Sequence, residues 1–143
     1  MLIIRQLLDN RDTVFHLEPQ HSLRSAAQFL RDHKIGGAPV LDGERIAGFC
    51  SERDLVHQAM ADGLDPETAT VADVMTREVV TAQLEETVVQ GEERMRAAHC
   101  RHIPILDGEK LVGCLSLRDF LQSELRDCEI RIEHLENYIQ GAG

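Results

Sequence analysis

The chain has 143 residues, enough for one domain or two half-domains sharing a core. Its formal net charge of −10, with aromatics at 3% and no Trp, excludes general nucleic-acid binding by phosphate neutralisation or base stacking. No apolar run is long enough to span a membrane and Met1-Leu2-Ile3-Ile4-Arg5 lacks the order of a signal peptide, so a soluble cytoplasmic protein is expected.

In chain order, Ile3, Ile4, Leu7 and Leu8 predict a short amphipathic helix, and Val14-Phe15 a brief strand. Ser22 is a candidate N-cap for a helix over 23–32 that buries Leu23, Ala26, Ala27 and Leu30 and ends at Gly36-Gly37. Residues 38–41 and 45–50 read as a hairpin around the Asp42-Gly43 turn, and Ser51 caps a helix running to about Met60. A loop at 62–66 and a turn of helix at Val71 to Met75 lead into a second series. It comprises a strand at Val79-Val80, a helix over 86–98, hairpin strands at 103–106 and 110–115, and a helix capped by Ser116.

The second series repeats the first. Shifted by 65 positions, residues 39–54 align without a gap on 104–119, with nine of sixteen residues identical. One β-α-β-β-α unit is therefore used twice, and such units bury their apolar faces against each other. The fold class is α/β (α+β). The repeats are placed at 1–62, with the N-terminal helix, and 79–121, joined by a linker at 63–78. Residues 122–143 form an amphipathic helical extension. There Leu121, Leu125, Cys128, Ile132, Leu135 and Ile139 follow the 4-3-4-3-4 spacing of a coiled-coil seam. That stripe either packs back on its own domain or makes a homodimer, and the second is favoured because so little of the repeat remains for it to cover.

Both copies keep Gly-x-x-Ser-x-x-Asp at a strand-to-helix junction: Gly48, Ser51 and Asp54, then Gly113, Ser116 and Asp119. A serine at a helix start gathers its hydroxyl and free backbone N–H groups at one place, and a carboxylate one turn on can accept from vicinal hydroxyls such as those of ribose. The plainer reading is a capping box with Asp in place of Glu. Retention of Ser, Arg and Asp in both copies speaks for more than capping.

These residues resemble the cystathionine β-synthase (CBS) domain family in its tandem arrangement, the Bateman module, of the stand-alone bacterial type. The markers are Gly36-Gly37-Ala38-Pro39-Val40 with Gly48 to Asp54, then Val74-Met75-Thr76, Arg101-His102-Ile103-Pro104-Ile105 and Gly113 to Asp119. The resemblance implies two β-α-β-β-α repeats packed about a pseudo-twofold axis. Two clefts between them would take an adenosyl ligand: AMP, ADP or ATP, or else NAD or S-adenosylmethionine. It assigns ribose and phosphate contacts to Ser51, Asp54, Ser116 and Asp119, phosphate contacts to Arg101 and His102, and the flanks of the adenine to Ala38, Pro39, Ile103 and Pro104. Copy one has Gly36-Gly37 where copy two has Arg101-His102, and glycine offers no phosphate donor. Arg53 and Arg118 face either phosphate or solvent.

The His99-Cys100-Arg101-His102 stretch lacks the carboxylate or second cysteine of a metal site, and the four cysteines, at 50, 100, 114 and 128, read as reduced core thiols. No nucleophile motif or phosphate loop suggests an enzyme. Two functions stay open: a regulatory module that senses an adenine nucleotide and signals through an unknown effector protein or self-association, and a dimerisation scaffold with degenerate clefts.

Overall fold

The computed structural model describes residues 1–8 and 14–142. Each repeat begins with a strand residue paired to the following hairpin, crosses over through a helix, and returns as an antiparallel hairpin. In the first repeat, helix α1 (Leu23–His33) precedes strands β1 (Gly37–Asp42) and β2 (Arg45–Ser51). Helix α2 (Glu52–Asp54) follows and continues as a π-helical turn, Leu55–Met60. A short helix α3 (Val71–Val74) leads to strand β3 (Ala82–Gln83), helix α4 (Val88–Ala98), strands β4 (His102–Asp107) and β5 (Lys110–Ser116), and helix α5 (Leu117–Ala142).

The helices start where hydroxyls cap them. Ser22 Oγ accepts from Ser25 N–H at 3.1 Å, and Thr87 Oγ1 accepts from Gln90 N–H at the same distance. They also stop alike, on residues 65 apart: Lys34 (φ 55°) and His99 (φ 54°) take the left-handed conformation, and Ile35 and Cys100 donate back to Leu30 and Met95. The glycines expected to end α1 instead lead into β1. Both hairpins turn on a glycine of positive φ, Gly43 (67°) and Gly108 (66°), at the first of two loop residues.

Two expected strands lie elsewhere. Val14 and Phe15 form no ladder, and the Phe15 ring packs on Phe29 and His33 of α1 instead. The parallel bridge to β1 is made by Leu17, whose N–H and carbonyl bond Pro39 and Leu41. In the second copy Val79-Val80 is likewise unpaired, and Ala82–Gln83 pairs with Ile105–Leu106. Position 82 is the counterpart of 17, so both expectations miss by three residues in the same direction.

Each repeat has its own aliphatic core, and each core is closed by a segment from outside the repeat. Val71, Val74 and Met75 fill the core under α1, β1 and β2. Ile4 fills the core under α4, β4 and β5, although it lies at the start of the chain. The hydrogen bonds repeat this crossover: Val71 N–H to His21 O and Ile4 N–H to Glu86 O, both at 2.9 Å. Two β-α-β-β-α repeats thus interlock, and α5 runs on from the second.

Candidate functional site

The Ser-x-x-Asp motif is formed identically in both copies because β2 and β5 deliver a serine as the last strand residue and first helix cap. Ser51 N–H donates to Asp54 Oδ2 at 2.9 Å, Ser51 Oγ lies 3.1 Å from the same oxygen, and Asp54 N–H donates to Ser51 Oγ at 3.1 Å. For Ser116 and Asp119 the three distances are 2.8, 3.0 and 3.2 Å. Each pair is thus a reciprocal capping box, and each carboxylate has one oxygen turned to its own helix start.

The second oxygen of Asp54 is taken as well. Thr76 Oγ1 donates to Asp54 Oδ1 at 3.2 Å, and Asp54 is buried. The adjoining Cys50 thiol is pushed up to about 12 by burial, with the Asp54 charge adding to the effect. A hydroxyl reaching Asp54 Oδ1 would share that oxygen with Thr76 Oγ1 or displace it. The sequence reading gave Thr76 no role, although Val74-Met75-Thr76 belonged to the resemblance. The signal was a hydroxyl directly after the segment that closes the first core.

Arg101 and Gly36 occupy equivalent positions. Leu117 N–H donates to Arg101 O at 2.8 Å and Glu52 N–H to Gly36 O at 2.9 Å, which fixes each residue beside the first turn of the following helix. The Arg101 side chain is exposed there. His102 points the other way, into the first repeat. Its ring stacks on Phe49, with centroids 5.3 Å apart and planes at 28°. A Cβ on Gly36 would lie 3.3 Å from its Nε2. Burial lowers its pKa, Glu52 and Asp119 oppose that, and Arg101 reinforces it. His102 therefore stands between the first turn of α2 and the Asp119 motif.

Ala38 and Ile103 face the two cores, whereas Pro39 and Pro104 alternate to the opposite face, and all four are buried. None of the four lines the groove or the cavity that follow. A groove of about 580 Å³ in the first repeat is lined by Ala27, Leu30, Arg31 and Lys34, with Ile35, Gly36, Glu52, Leu55 and Val56. A cavity of about 240 Å³ lies between α5 and an N-terminal 3-10 turn (Ile4–Leu7), where Asp119, Gln122, Ser123 and Arg126 face Leu2, Gln6 and Leu7. Among the described residues, no cluster of three or more His, Cys, Asp or Glu could hold a metal ion. No helix among them is long and apolar enough to cross a membrane.

The model of the CBS domain matches residues 4–61 and 71–126. Hypoxic response protein 1 of Mycobacterium tuberculosis is 30% identical over 99 residues, 68% of this chain and 69% of that protein. A CBS-domain containing protein of Agrobacterium tumefaciens superposes with a TM-score of 0.79 at 31% identity, covering 85% of this chain and 98% of that one. A CBS domain protein of Pyrobaculum aerophilum complexed with AMP superposes with a TM-score of 0.74 at 25% identity, covering 82% and 89%.

Proposed function

The chain belongs to the CBS domain family, and from that premise we propose that it is a regulatory module, not an enzyme, that senses an adenosyl ligand. The ligand is an adenine nucleotide in the first instance, with NAD and S-adenosylmethionine as further members of the class. Ser51 with Asp54, and Ser116 with Asp119, meet the ribose and phosphate. Arg101 supplies the phosphate charge on the second-copy side, with His102 beside it. Binding changes the conformation or the self-association of the chain in the cytoplasm, and an effector protein reads that change. The observation that carries the reading is the doubled capping motif of the same geometry, with Arg101 held by its backbone beside the second copy where Gly36 stands beside the first. The AMP complex of the Pyrobaculum relative supports the ligand class.

Calorimetric titration with AMP, ADP, ATP, NAD and S-adenosylmethionine tests the class. Arg101→Ala tests the phosphate role. A charge-assisted bond worth about 1.5–3 kcal/mol implies about tenfold or greater loss for AMP and little change for adenosine. Equal losses for both ligands, or none for AMP, would remove that role. A second reading has one observation in its favour: both oxygens of Asp54 are already engaged within the chain. If no adenosyl ligand binds at millimolar concentration, the module is a scaffold whose clefts have become structural.

A further inference from the structure

Helix α5 has two faces that differ in what they meet. Phe120 and Ser123 are buried, and Ser123, Arg126 and Ile130 line the cavity against the N-terminal turn. That side faces the chain's own domain. The opposite side carries Leu121, Leu125, Ile132, Leu135 and Ile139, each more than half exposed, with exposed Cys128 among them. Among the described residues the stripe is therefore left uncovered.

Its spacing sets a heptad register. Leu125, Ile132 and Ile139 fall at a, and Leu121, Cys128 and Leu135 at d. Isoleucine at a with leucine at d suits two parallel strands. The flanking charges separate the two orientations. In a parallel, in-register pair, Arg131 at g meets Glu136 at e of the second copy, in both directions. Glu124 at g meets Glu129 at e, an unfavourable contact at the first-turn end of the seam. An antiparallel pair with all six seam residues engaged sets Arg131 against Arg131 and Glu129 against Glu129, with no opposite-charge pair. Arg131 holds Asp127 at 3.3 Å in the single chain, an exposed pair that is readily shared or exchanged.

We propose that the outer face of α5 docks a second copy of this chain as a parallel, in-register two-stranded coiled coil from Leu121 to Ile139, roughly 27 Å long. This deepens the self-association part of the proposed function. It is tested without nucleotide, so its failure is distinct from a failure of ligand sensing.

Light scattering of the full chain should give the mass of two copies, and Leu125→Glu with Ile132→Glu should halve it while leaving the fold unchanged by circular dichroism. Orientation is read from Cys128, the one exposed thiol among the described cysteines. In register, Cys128 meets its own counterpart. Mild oxidation should therefore give a reducible covalent dimer that Cys128→Ser abolishes without lowering the mass in solution. A single-copy mass, or a two-copy mass that the double substitution leaves intact, overturns the seam. A dimer in which Cys128 joins only to an introduced Ile132→Cys, and not to itself, overturns the parallel orientation.

Discussion

The two motif glycines offer an internal control, because a methyl group added at each meets a different kind of obstacle. At Gly48 the new Cβ would stand 2.8 Å from the Thr76 carbonyl oxygen and 2.6 Å from Met75 Sδ. That carbonyl cannot step aside alone. It accepts from Phe49 N–H at 2.8 Å, while Thr76 N–H donates to Phe49 O at 2.9 Å. Gly48→Ala thus adds overpacking of about 1–3 kcal/mol to partial loss of bonds worth about 0.5–1.5 kcal/mol each. At Gly113 the three atoms nearest the same methyl all belong to the Leu8 side chain, whose Cδ2 is 2.6 Å away. Leu8 is half-buried and can turn to another rotamer, so about 1 kcal/mol or less is expected. The entropy gained by replacing a strand glycine is similar at both sites and cancels. The expected difference is about 2 kcal/mol. With a urea slope of about 2 kcal/mol/M it separates the unfolding midpoints of the two variants by about 1 M. Gly48→Ala should also loosen Thr76 from Asp54 and change nucleotide affinity, while Gly113→Ala should not act through that bond. Equal midpoints, or a greater loss at Gly113, would show that the Thr76 segment is not the rigid wall described here.

Two pH effects follow from named groups. His102 is held neutral by burial, so its contribution is full above its ordinary value of 6.5 and is lost as pH falls through its lowered folded value. The urea midpoint of the wild type should drop between about pH 7.5 and 5.5 relative to His102→Phe, which keeps the ring on Phe49; parallel curves would contradict this. Glu92 is pushed up to about 7, first by burial and then by Glu124, with Arg96 opposing. Its stabilising share is present below the ordinary value of 4.5 and lost as pH rises through about 7. Glu92→Gln should therefore melt about 1–3 °C above the wild type near pH 8, a small shift because the site is largely solvent-screened, and the gain should vanish near pH 5. A constant offset across that range would argue against a carboxyl pair.

Local chemistry was legible in the sequence wherever one residue decides the structure. Ser22, Ser51 and Ser116 start their helices, and Gly43 and Gly108 turn their hairpins, as the residue types require. Failures came where a distant segment decides. Val14-Phe15 and Val79-Val80 have strand-forming side chains, but strand β1 or β4 selects which residue it pairs with, and it selects Leu17 and Ala82. Gly36 and Gly37 looked like a helix stop, yet Lys34 pays the left-handed cost and the glycines serve another need. Most remote from sequence was the placement of Ile4. Its apolar period identified a buried face, but nothing local says that the face closes the core of the second repeat.

That other need of the glycines bears on whether the two copies are equivalent. The repeat suggests that they are, but the packing across the pseudo-twofold trades bulk between the copies. Position 37 is glycine where 102 is histidine, and position 49 is phenylalanine where 114 is cysteine. The two large residues meet as the Phe49–His102 stack. Glycine is required on the first side, since a Cβ on Gly37 would lie 2.6 Å from the Phe49 ring and one on Gly36 would press on His102. A single change that restored symmetry, such as Gly37→His, would collide with Phe49, so the copies are not interchangeable at this point. The second copy supplies the His102 ring and the first supplies the space that receives it, while the Arg101 side chain stays exposed. If Arg101 binds phosphate as proposed, the Asp119 side has a cation where the Asp54 side has Gly36, and Asp54 already accepts from the Thr76 hydroxyl. The proposed function therefore predicts two sites of unequal affinity, with the tighter site on the Arg101 side. A calorimetric curve that fits two identical independent sites would contradict it.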